Sequence, residues 1–253
     1  MSEFRVCAVV PTYDNPRTIR AVVERLAPVV EQVLVVDDGS AEPGRAAVDA
    51  LVQEGLARVI HRARNGGKGA AVKTGLQAAM QAGFSHALQV DADLQHDLDD
   101  APKLLEAARA APDALVLGDP RYDESAPSAR RVGRLITSFW IRMETSRGVI
   151  GDAMCGFRVY PIDAALKAAP RGDAMDFDPE IAVRMVWAGA EVINIPTRVR
   201  YLNEAQGGVS HFRLVRDNVW ISWMHTRLMF RKVMGLLFGA LIPRLRLDAG
   251  GRS

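Results

Sequence analysis

The chain has 253 residues, of which 49% are hydrophobic and 25% are charged, a composition typical of a folded globular protein and not of a disordered one. Its 32 basic and 30 acidic residues leave a formal charge of only +2, which gives no support to nucleic-acid binding. The two cysteines, Cys7 and Cys155, have neither CxxC nor Cys/His spacing. Neither a disulfide framework nor a zinc site is therefore indicated, and a reducing cytoplasm fits.

The N-terminus, MSEFRVCAVVPTYDN, has an early acidic residue and an apolar run interrupted by Pro11. These features are typical of a first strand and not of a signal peptide. No stretch reaches the roughly 18 uninterrupted apolar residues of a membrane-spanning helix. We therefore expect a cytoplasmic protein that is not integral to a membrane.

Short apolar runs alternate with helical patterns through the first half of the chain. Five runs are predicted to be strands: RVCAVV, QVLVVD, ARVIHR, HALQVD and ALVLGD. One helix is predicted after the first strand, with Asn15 as its cap and Pro16 in its first turn, and another over 65–83, closed by Gly83. The alternation predicts an α/β fold with a doubly wound, mostly parallel sheet covered by helices on both faces.

Patterns in the second half are less regular. Helices are predicted for PSARRVGRLITSFWIRMETSRGVIG and DPEIAVRMVWAGA, a short strand for CGFRVYP, and a strand or a strand pair broken at Pro196 for EVINIPTRVRYL. No repeat and no Pro-, Gly- or Ser-rich linker divides the chain. We expect one catalytic domain over 1–212, followed by a helical C-terminal segment over 213–253.

Acidic residues follow three of the predicted strands. Asp37 and Asp38 follow the second strand, Asp91 follows the fourth, and Asp119 ends the fifth. Ligands of open α/β sheets bind beyond the carboxyl ends of the strands, so these carboxylates are expected to converge on a binding crevice.

The motif DADLQ places oxygen-bearing side chains at alternate positions, Asp91, Asp93 and Gln95. Mg²⁺ and Mn²⁺ prefer oxygen ligands and are commonly held by one or two carboxylates together with nucleotide phosphates. An EF-hand is excluded, because His96 occupies the position of the turn glycine and Pro102 that of the bidentate glutamate.

The later aspartates of the same stretch have a structural interpretation. Asp97, Asp99 and Asp100 precede a helical pattern and are suited to capping it. That interpretation does not extend to Asp91 and Asp93, which lie several residues earlier at the exit of the strand.

Two glycine-containing stretches have both a structural and a functional interpretation. In isolation VDDGS favours a plain Asp-Gly turn, but its place at a strand end favours a nucleotide contact. RNGGKGAAVKTG does not match a P-loop, and its glycines with Lys68 either bind an anionic group at a helix N-terminus or form a flexible cap. The dinucleotide-binding fingerprint is absent after the first strand, which weighs against a hydride-transfer enzyme.

Seven ordered blocks resemble a known family: VVPTYDN, VLVVDDGS, RNGGKGAAVKTGL, QVDADLQH, LGDPRY, DAMCGFRVYP and IPTRVRY. They resemble the inverting family 2 glycosyltransferases of the GT-A fold, in particular the branch of dolichyl-phosphate and polyprenyl-phosphate sugar synthases. The resemblance covers about residues 5–212. Two departures are Asp14 and Asn15, where many relatives have Asn-Glu, and His211, where lysine is common.

The resemblance implies roles by position. Nucleotide contacts are implied for Pro11, Tyr13, Asp38 and Lys68, and the metal and sugar-diphosphate site for Asp91, Asp93 and Gln95. Basic positions near phosphates are implied for Arg121 and Arg200, and the acceptor-side wall for Asp152, Phe157 and Arg158.

The implied reaction is a single displacement at the anomeric carbon of a UDP- or GDP-linked sugar, with the metal and the arginines stabilising the leaving diphosphate. A hydroxyl acceptor needs a carboxylate base, for which the candidates are Asp152, Asp178 and Glu180. A phosphate acceptor is already ionised and needs none. Glu180 is equally well interpreted as a solvated residue in the first turn of a helix.

The segment 211–247 combines tryptophans and aliphatic residues with seven arginines and lysines. It has the composition of an interfacial helix, although packing on the catalytic domain or on a second subunit is the alternative. We favour peripheral contact with the cytoplasmic face of a membrane and a lipid-linked acceptor. The competing functions are a nucleotidyltransferase that forms a nucleotide sugar and a non-catalytic nucleotide-sugar-binding module.

Overall fold

The computed structural model describes residues 3–121, 128–145, 148–199 and 214–237. The strands are β1 (Val6–Thr12), β2 (Gln32–Asp37), β3 (Arg58–His61), β4 (His86–Gln89), β5 (Leu115–Arg121), β6 (Arg158–Pro161) and β7 (Val192–Arg198). They form one sheet in the order β3-β2-β1-β4-β6-β5-β7. All neighbours are parallel except that β6 is antiparallel to both β4 and β5. The predicted mostly parallel sheet is confirmed.

Helices in the described part of the chain cover both faces of the sheet. They are α1 (Ile19–Leu26), α2 (Gly44–Gln53), α3 (Lys68–Gln81), α4 (Ala101–Ala110), α5 (Ser128–Thr145), α6 (Ile162–Lys167), α7 (Phe177–Trp187) and α8 (Leu214–Leu237). Alternate residues of β1 belong to two core clusters on opposite faces of the sheet. Ala8 and Val10 pack in one cluster with α1, α2 and α4. Cys7 and Val9 pack in the other with α3 and α5–α8. This division follows from the period of two along a strand.

The predicted start of the first helix is wrong. The helix begins at Ile19, and the carbonyl of Asn15 accepts a hydrogen bond from the Ile19 amide at 3.2 Å, so Asn15 and Pro16 belong to a preceding turn. The Thr18 hydroxyl donates to the Ala92 carbonyl at 2.6 Å. This contact with the segment after β4 depends on the tertiary structure, and the local sequence does not predict it.

Other helix boundaries agree with the sequence. The helix predicted over 65–83 begins at Lys68, and Gly83 follows it with φ +80°, a conformation that favours glycine. A 3₁₀ turn, Leu98–Asp100, precedes α4, and Asp97 caps it by accepting a hydrogen bond from the Asp99 amide at 3.2 Å.

Pro196 does not break the last strand into a pair. A single strand, β7, runs through it and pairs with β5 in parallel at the edge of the described sheet. Proline lacks an N–H donor and is tolerated at an edge, where one side of the strand has no partner.

The C-terminal helix α8 packs on the rest of the protein through Ile221, Met224 and Leu228, which are buried in the same cluster as α5 and α7. Within the described residues, no helix combines the length and the apolar character that crossing a bilayer requires.

The contact between α3 and the sheet depends on Gly75. A Cβ atom at this position would lie inside van der Waals contact with Val9 and 3.2 Å from Val36 Cγ2. The absence of a side chain therefore sets how closely α3 approaches β1 and β2.

We expect Gly75→Ala to lower the free energy of unfolding by about 1–3 kcal/mol, because the added methyl overpacks the core. Urea denaturation measures this change. Gly235→Ala is the matched control, since a Cβ at Gly235 in α8 meets nothing within 4 Å. The control should be neutral or stabilising by up to about 1 kcal/mol, because alanine favours helix over glycine. An equal effect of the two substitutions would contradict the packing assigned to Gly75.

Candidate functional site

The loops after β1 and β2 are joined by side-chain hydrogen bonds. Asp14, with φ +50°, accepts the Ala41 amide at its Oδ1 (3.0 Å), and its own amide donates to Ser40 Oγ at 2.9 Å. Pro11 is buried near the end of β1, whereas Tyr13 is partly exposed beside this junction. The aspartate found where relatives have asparagine therefore has a clear structural role, which is to fix the loop that carries Tyr13.

Asp38 fixes the turn that opens α3. Its carboxylate is buried and accepts hydrogen bonds from the Gly66 amide at 3.1 Å and the Gly67 amide at 2.7 Å, and it pairs with the Arg62 guanidinium. Arg62 was not predicted as part of the site. Its pairing depends on β2 and β3 being neighbours, which the sequence alone does not specify.

Lys68, the first residue of α3, lies between two carboxylates. Its Nζ is 2.7 Å from Asp91 Oδ1 at the exit of β4 and 2.7 Å from Asp178 Oδ2 in the first turn of α7. Burial alone would lower the pKa of Lys68, yet Asp178 and Asp91 together raise it above its ordinary value. Burial alone would raise the pKa of Asp91, but Lys68 outweighs burial and lowers it. All three elements therefore meet at a cluster in which one ammonium lies within 2.7 Å of two carboxylates.

A buried polar layer supports this cluster from below. Gln89 Nε2 donates to Asp178 Oδ1 at 3.0 Å, and Tyr160 OH donates to Gln89 Oε1 at 2.9 Å. The guanidinium of Arg158 donates to the Asp178 and Cys155 carbonyls. Gln89 and Tyr160 were not predicted. The glutamine inside the apolar run HALQVD could have indicated a buried hydrogen-bond network, because a buried polar side chain requires a partner.

Asp178 is held as a support and not as a base. Its side chain is almost fully buried, and both carboxylate oxygens already face Lys68 and Gln89. The base role considered from the sequence is therefore not compatible with this arrangement. Phe157 and Arg158, expected on the acceptor-side wall, have no exposed surface and belong to the interior.

Glu180 is neither solvated nor open to a substrate. It is fully buried, its Oε1 accepts from Arg184 Nε at 2.7 Å, and its Oε2 accepts the amides of Arg171 at 3.1 Å and Gly172 at 2.6 Å. Both sequence-based interpretations of Glu180, the base and the solvated helix residue, are corrected by these contacts. The packing of α7 decides this outcome.

The other two polar residues of the DADLQ motif, Asp93 and Gln95, are partly exposed. Asp93 Oδ1 accepts the Gln95 amide at 3.1 Å. Gly156 lies so close to Asp91 that no Cβ would fit, so the chain before β6 closes one side of this carboxylate. Among the described residues, no three His, Cys, Asp or Glu side chains are grouped to hold an ion by themselves. Asp91, Asp93 and Gln95 offer oxygen atoms only, which fits Mg²⁺ or Mn²⁺ completed by phosphate oxygens.

Asp152 is paired and lies near a second carboxylate. Its Oδ2 is 2.7 Å from Arg134 NH2 in α5, and its Oδ1 accepts the Met154 amide at 2.8 Å. Burial, followed by the charge of Asp152, raises the pKa of Asp119 at the end of β5. Asp119, near the end of β5, is therefore close enough to Asp152 for the two carboxylates to interact.

His96 is a further buried side chain of this region. Its ring packs on Phe157 at 5.3 Å between centroids, and its Nδ1 is buried without a hydrogen-bond partner in the part of the chain that the structure describes. Burial lowers the pKa of His96 to about 4, so the imidazole is neutral at neutral pH. In the sequence, His96 indicated only that this stretch is not an EF-hand loop.

Of the two arginines expected near phosphates, Arg121 is exposed as the last residue of β5. Arg200 and His211 lie outside the described residues.

Comparison with known proteins shows the family of the chain. A family model described as Glycosyl transferase family 2 matches residues 7–166. The chain is 27% identical over 231 residues to the undecaprenyl-phosphate mannosyltransferase of Micrococcus luteus, covering 85% of this chain and 93% of that protein. It is 28% identical over 203 residues to the polyprenol monophosphomannose synthase of Mycolicibacterium smegmatis, covering 76% of each.

Solved structures of similar fold include glucosyl-3-phosphoglycerate synthase from Mycobacterium tuberculosis. Its complex with Mn²⁺, UDP and phosphoglyceric acid has a TM-score of 0.65 at 16% identity, covering 93% of this chain and 78% of that one. At this identity the likeness shows the fold alone, which is the predicted GT-A type. The family model matches more than half of the residues of this chain. The chain therefore belongs to glycosyl transferase family 2 and is a glycosyltransferase.

Proposed function

We propose that this glycosyltransferase transfers a sugar, with inversion, from a UDP- or GDP-linked donor to a polyprenyl phosphate. The observation that carries the proposal is the ionised Lys68 cluster at the N-terminus of α3, beyond the carboxyl ends of β1, β2 and β4. A helix N-terminus with an adjacent ammonium favours an anionic group such as a diphosphate. The relatives named above for undecaprenyl phosphate and polyprenol support the acceptor class.

The charge balance of the cluster supports a need for a divalent cation. Asp91, Asp93 and Asp178 bring three negative charges against the two positive charges of Lys68 and Arg158. The surplus negative charge would repel a diphosphate. Mg²⁺ or Mn²⁺, when bound, supplies the charge that stabilises the leaving diphosphate, and its ligands would be Asp91, Asp93 and Gln95. In a related fold the solved complex contains Mn²⁺.

The chain's own residues have the following proposed roles in donor binding. Lys68 faces the diphosphate, with Arg121 and Arg200 as further cationic contacts, and Asp38 keeps the turn before α3 in place through its two amide hydrogen bonds. Pro11, near the end of β1, and Tyr13, just after it, line the part of the site that receives the nucleoside.

The state of the candidate bases favours a phosphate acceptor over a hydroxyl. Asp178 and Glu180 are buried and bound to cations, and Asp152 is paired with Arg134. A phosphate oxygen attacks without a base, because it is already ionised at neutral pH. A hydroxyl acceptor would need one of these carboxylates to be released from its partner.

An apolar platform on α5 and α8 supports an acceptor presented by a membrane. The exposed large hydrophobic side chains of these two helices are Leu135, Ile136, Phe139, Trp140, Met143, Val219, Trp220, Trp223, Phe230, Val233, Leu236 and Leu237. Basic side chains on α8 accompany them, namely Arg216, Arg231 and Lys232. Tryptophans beside basic residues suit the headgroup region of an anionic bilayer. We propose peripheral binding at the cytoplasmic face through this platform and through the C-terminal segment 213–253.

Lys68→Met is expected to lower kcat/KM for the nucleotide-sugar donor by about 100-fold or more, because it removes a preorganised positive charge from the diphosphate site. Turnover of UDP- and GDP-sugars with Mn²⁺ and a short polyprenyl phosphate measures the effect. Lys103→Met is the matched control, since Lys103 is exposed and pairs with Asp100 in α4. Wild-type turnover in a folded Lys68→Met protein would remove Lys68 from the site.

Asp93→Asn is expected to abolish metal-stimulated turnover, a loss of about 100-fold or more, while keeping the fold. Asp99→Asn is the control, because Asp99 is exposed at the start of α4 and pairs with Arg25. The measurement is the sugar-transfer rate against Mn²⁺ and Mg²⁺ concentration. Metal-independent turnover in both proteins would refute the assigned metal site, and formation of a nucleotide sugar with pyrophosphate release would favour the nucleotidyltransferase alternative.

The double variant Trp220→Ala, Trp223→Ala is expected to lose flotation with phosphatidylglycerol vesicles, because both indoles are exposed on the platform. Val52→Ala with Met80→Ala is the control, since those side chains are about equally exposed but lie on α2 and α3. Equal flotation of the two variants would contradict the platform. If the wild-type protein forms a dimer and the tryptophan substitutions make it monomeric, this face would instead bind a second copy of the chain.

A further inference from the structure

The first turn of α7 carries two buried carboxylates that face different parts of the protein. Asp178 faces Lys68 in the site, whereas Glu180 faces the other way, toward α8. Residues two apart on a helix are separated by about 200° around its axis, which accounts for the opposite directions. The same helical turn therefore contacts both the site and the platform helix.

Arg227 of α8 reaches Glu180. Arg227 NH2 is 3.0 Å from Glu180 Oε2, although Arg227 NH2 and Nε make no aligned hydrogen bond to any of the described residues. The same oxygen, Glu180 Oε2, accepts the amides of Arg171 and Gly172. Because a fully buried carboxylate depends on its partners for compensation, loss of the Arg227 charge weakens the anchor of this loop.

The loop that Glu180 anchors is seated on the first turn of α3. The Asp173 carbonyl accepts the Ala70 amide at 3.0 Å, and the Asp173 carboxylate binds Lys73 at 2.6 Å. A Cβ at Gly67 would collide with Asp173, and one at Gly69 would lie 2.9 Å from the Gly172 carbonyl. The position of the loop therefore determines the position of the turn that carries Lys68.

We propose that Arg227 is a positioning residue of the donor site: it holds Glu180, Glu180 holds the loop 171–173, and the loop holds the N-terminus of α3. The proposal rests on the proposed function, since it assumes that the nucleotide diphosphate binds beside Lys68. It makes α8 a regulatory connection between the membrane platform and donor affinity. When α8 is displaced, Glu180 loses its contact with Arg227 and keeps its ion pair with Arg184. The turn that carries Lys68 is then held less firmly.

The test compares Arg227→Met, Arg227→Lys and the control Arg142→Met, whose side chain is exposed on α5. Calorimetry with UDP and with GDP in the presence of Mn²⁺ gives the affinity, and steady-state kinetics give donor KM and kcat. Arg227→Met should raise Kd and donor KM about 3- to 30-fold with little change in kcat, and lysine should recover most of the loss. In a Glu180→Gln background, Arg227→Met should cause little further increase in Kd or donor KM. Wild-type donor affinity in a folded Arg227→Met protein would overturn the proposal.

Hydrogen exchange separates this proposal from the proposed function. Arg227→Met should speed exchange of the Gly172 and Ala70 amides, and Arg142→Met should not. If the wild type binds neither UDP nor GDP, the proposed function fails, whereas unchanged exchange at both amides refutes the coupling by itself. If Arg227→Met does not fold, Arg227→Lys is measured in its place, with a smaller shift in the same direction expected and no shift counting against the coupling.

Discussion

The ammonium of Lys68, buried between the carboxylates of Asp91 and Asp178, is the interaction on which the rest of the site depends. Removing an ammonium from water costs several kcal/mol, and only close, well-oriented carboxylates offset that cost. The cluster therefore fixes three elements at once, the first residue of α3, the exit of β4 and the first turn of α7. Gln89 and Tyr160 complete the hydrogen bonding beneath it, so the cluster has one defined arrangement.

Such a compact site requires backbone segments that approach one another more closely than side chains permit. Gly67 and Gly69 let the loop 171–173 lie directly on the start of α3, and Gly156 lets the chain before β6 lie against Asp91. Asp38 contributes from the opposite side by accepting two amides of the turn before α3. Glycines and buried carboxylates thus act together to hold the N-terminus of α3 in a fixed position, where we propose that an anion binds.

The proposed phosphate acceptor and the proposed membrane contact are supported by the candidate bases and by the exposed faces of α5 and α8. Every carboxylate considered as a base is bound to a cation, which suits a phosphate nucleophile better than a hydroxyl. A polyprenyl phosphate resides in a bilayer, and α5 and α8 present their exposed apolar side chains together. Arg134 near the start of α5 pairs with Asp152, so the platform is continuous with the site. Helix α8, which we propose to contact the lipid, and α3, which carries Lys68, are both joined to α7 by ion pairs.

The sequence by itself determined the features that depend on local pattern. Apolar runs predicted β1 to β5, because burial imposes a periodicity that is visible without a structure. Acidic residues after three of these runs predicted the edge of the sheet at which we propose that the ligand binds. The capping of the 3₁₀ turn before α4 by Asp97 was likewise local, and the ordered motifs identified the family. The start of α1 was not predicted, since Thr18 bonds to Ala92 across the fold.

Only the tertiary structure decided what Asp178, Glu180 and His96 do. In sequence, Asp178 and Glu180 are two acidic residues in the first turn of a helix, where exposure is the usual state. Their burial, and the choice of Lys68 and Arg227 as partners, follow from where α7 packs between α3 and α8. The neutral state of His96 follows from its enclosure against Phe157. Contacts between residues far apart in the chain are set by packing, which no local pattern encodes.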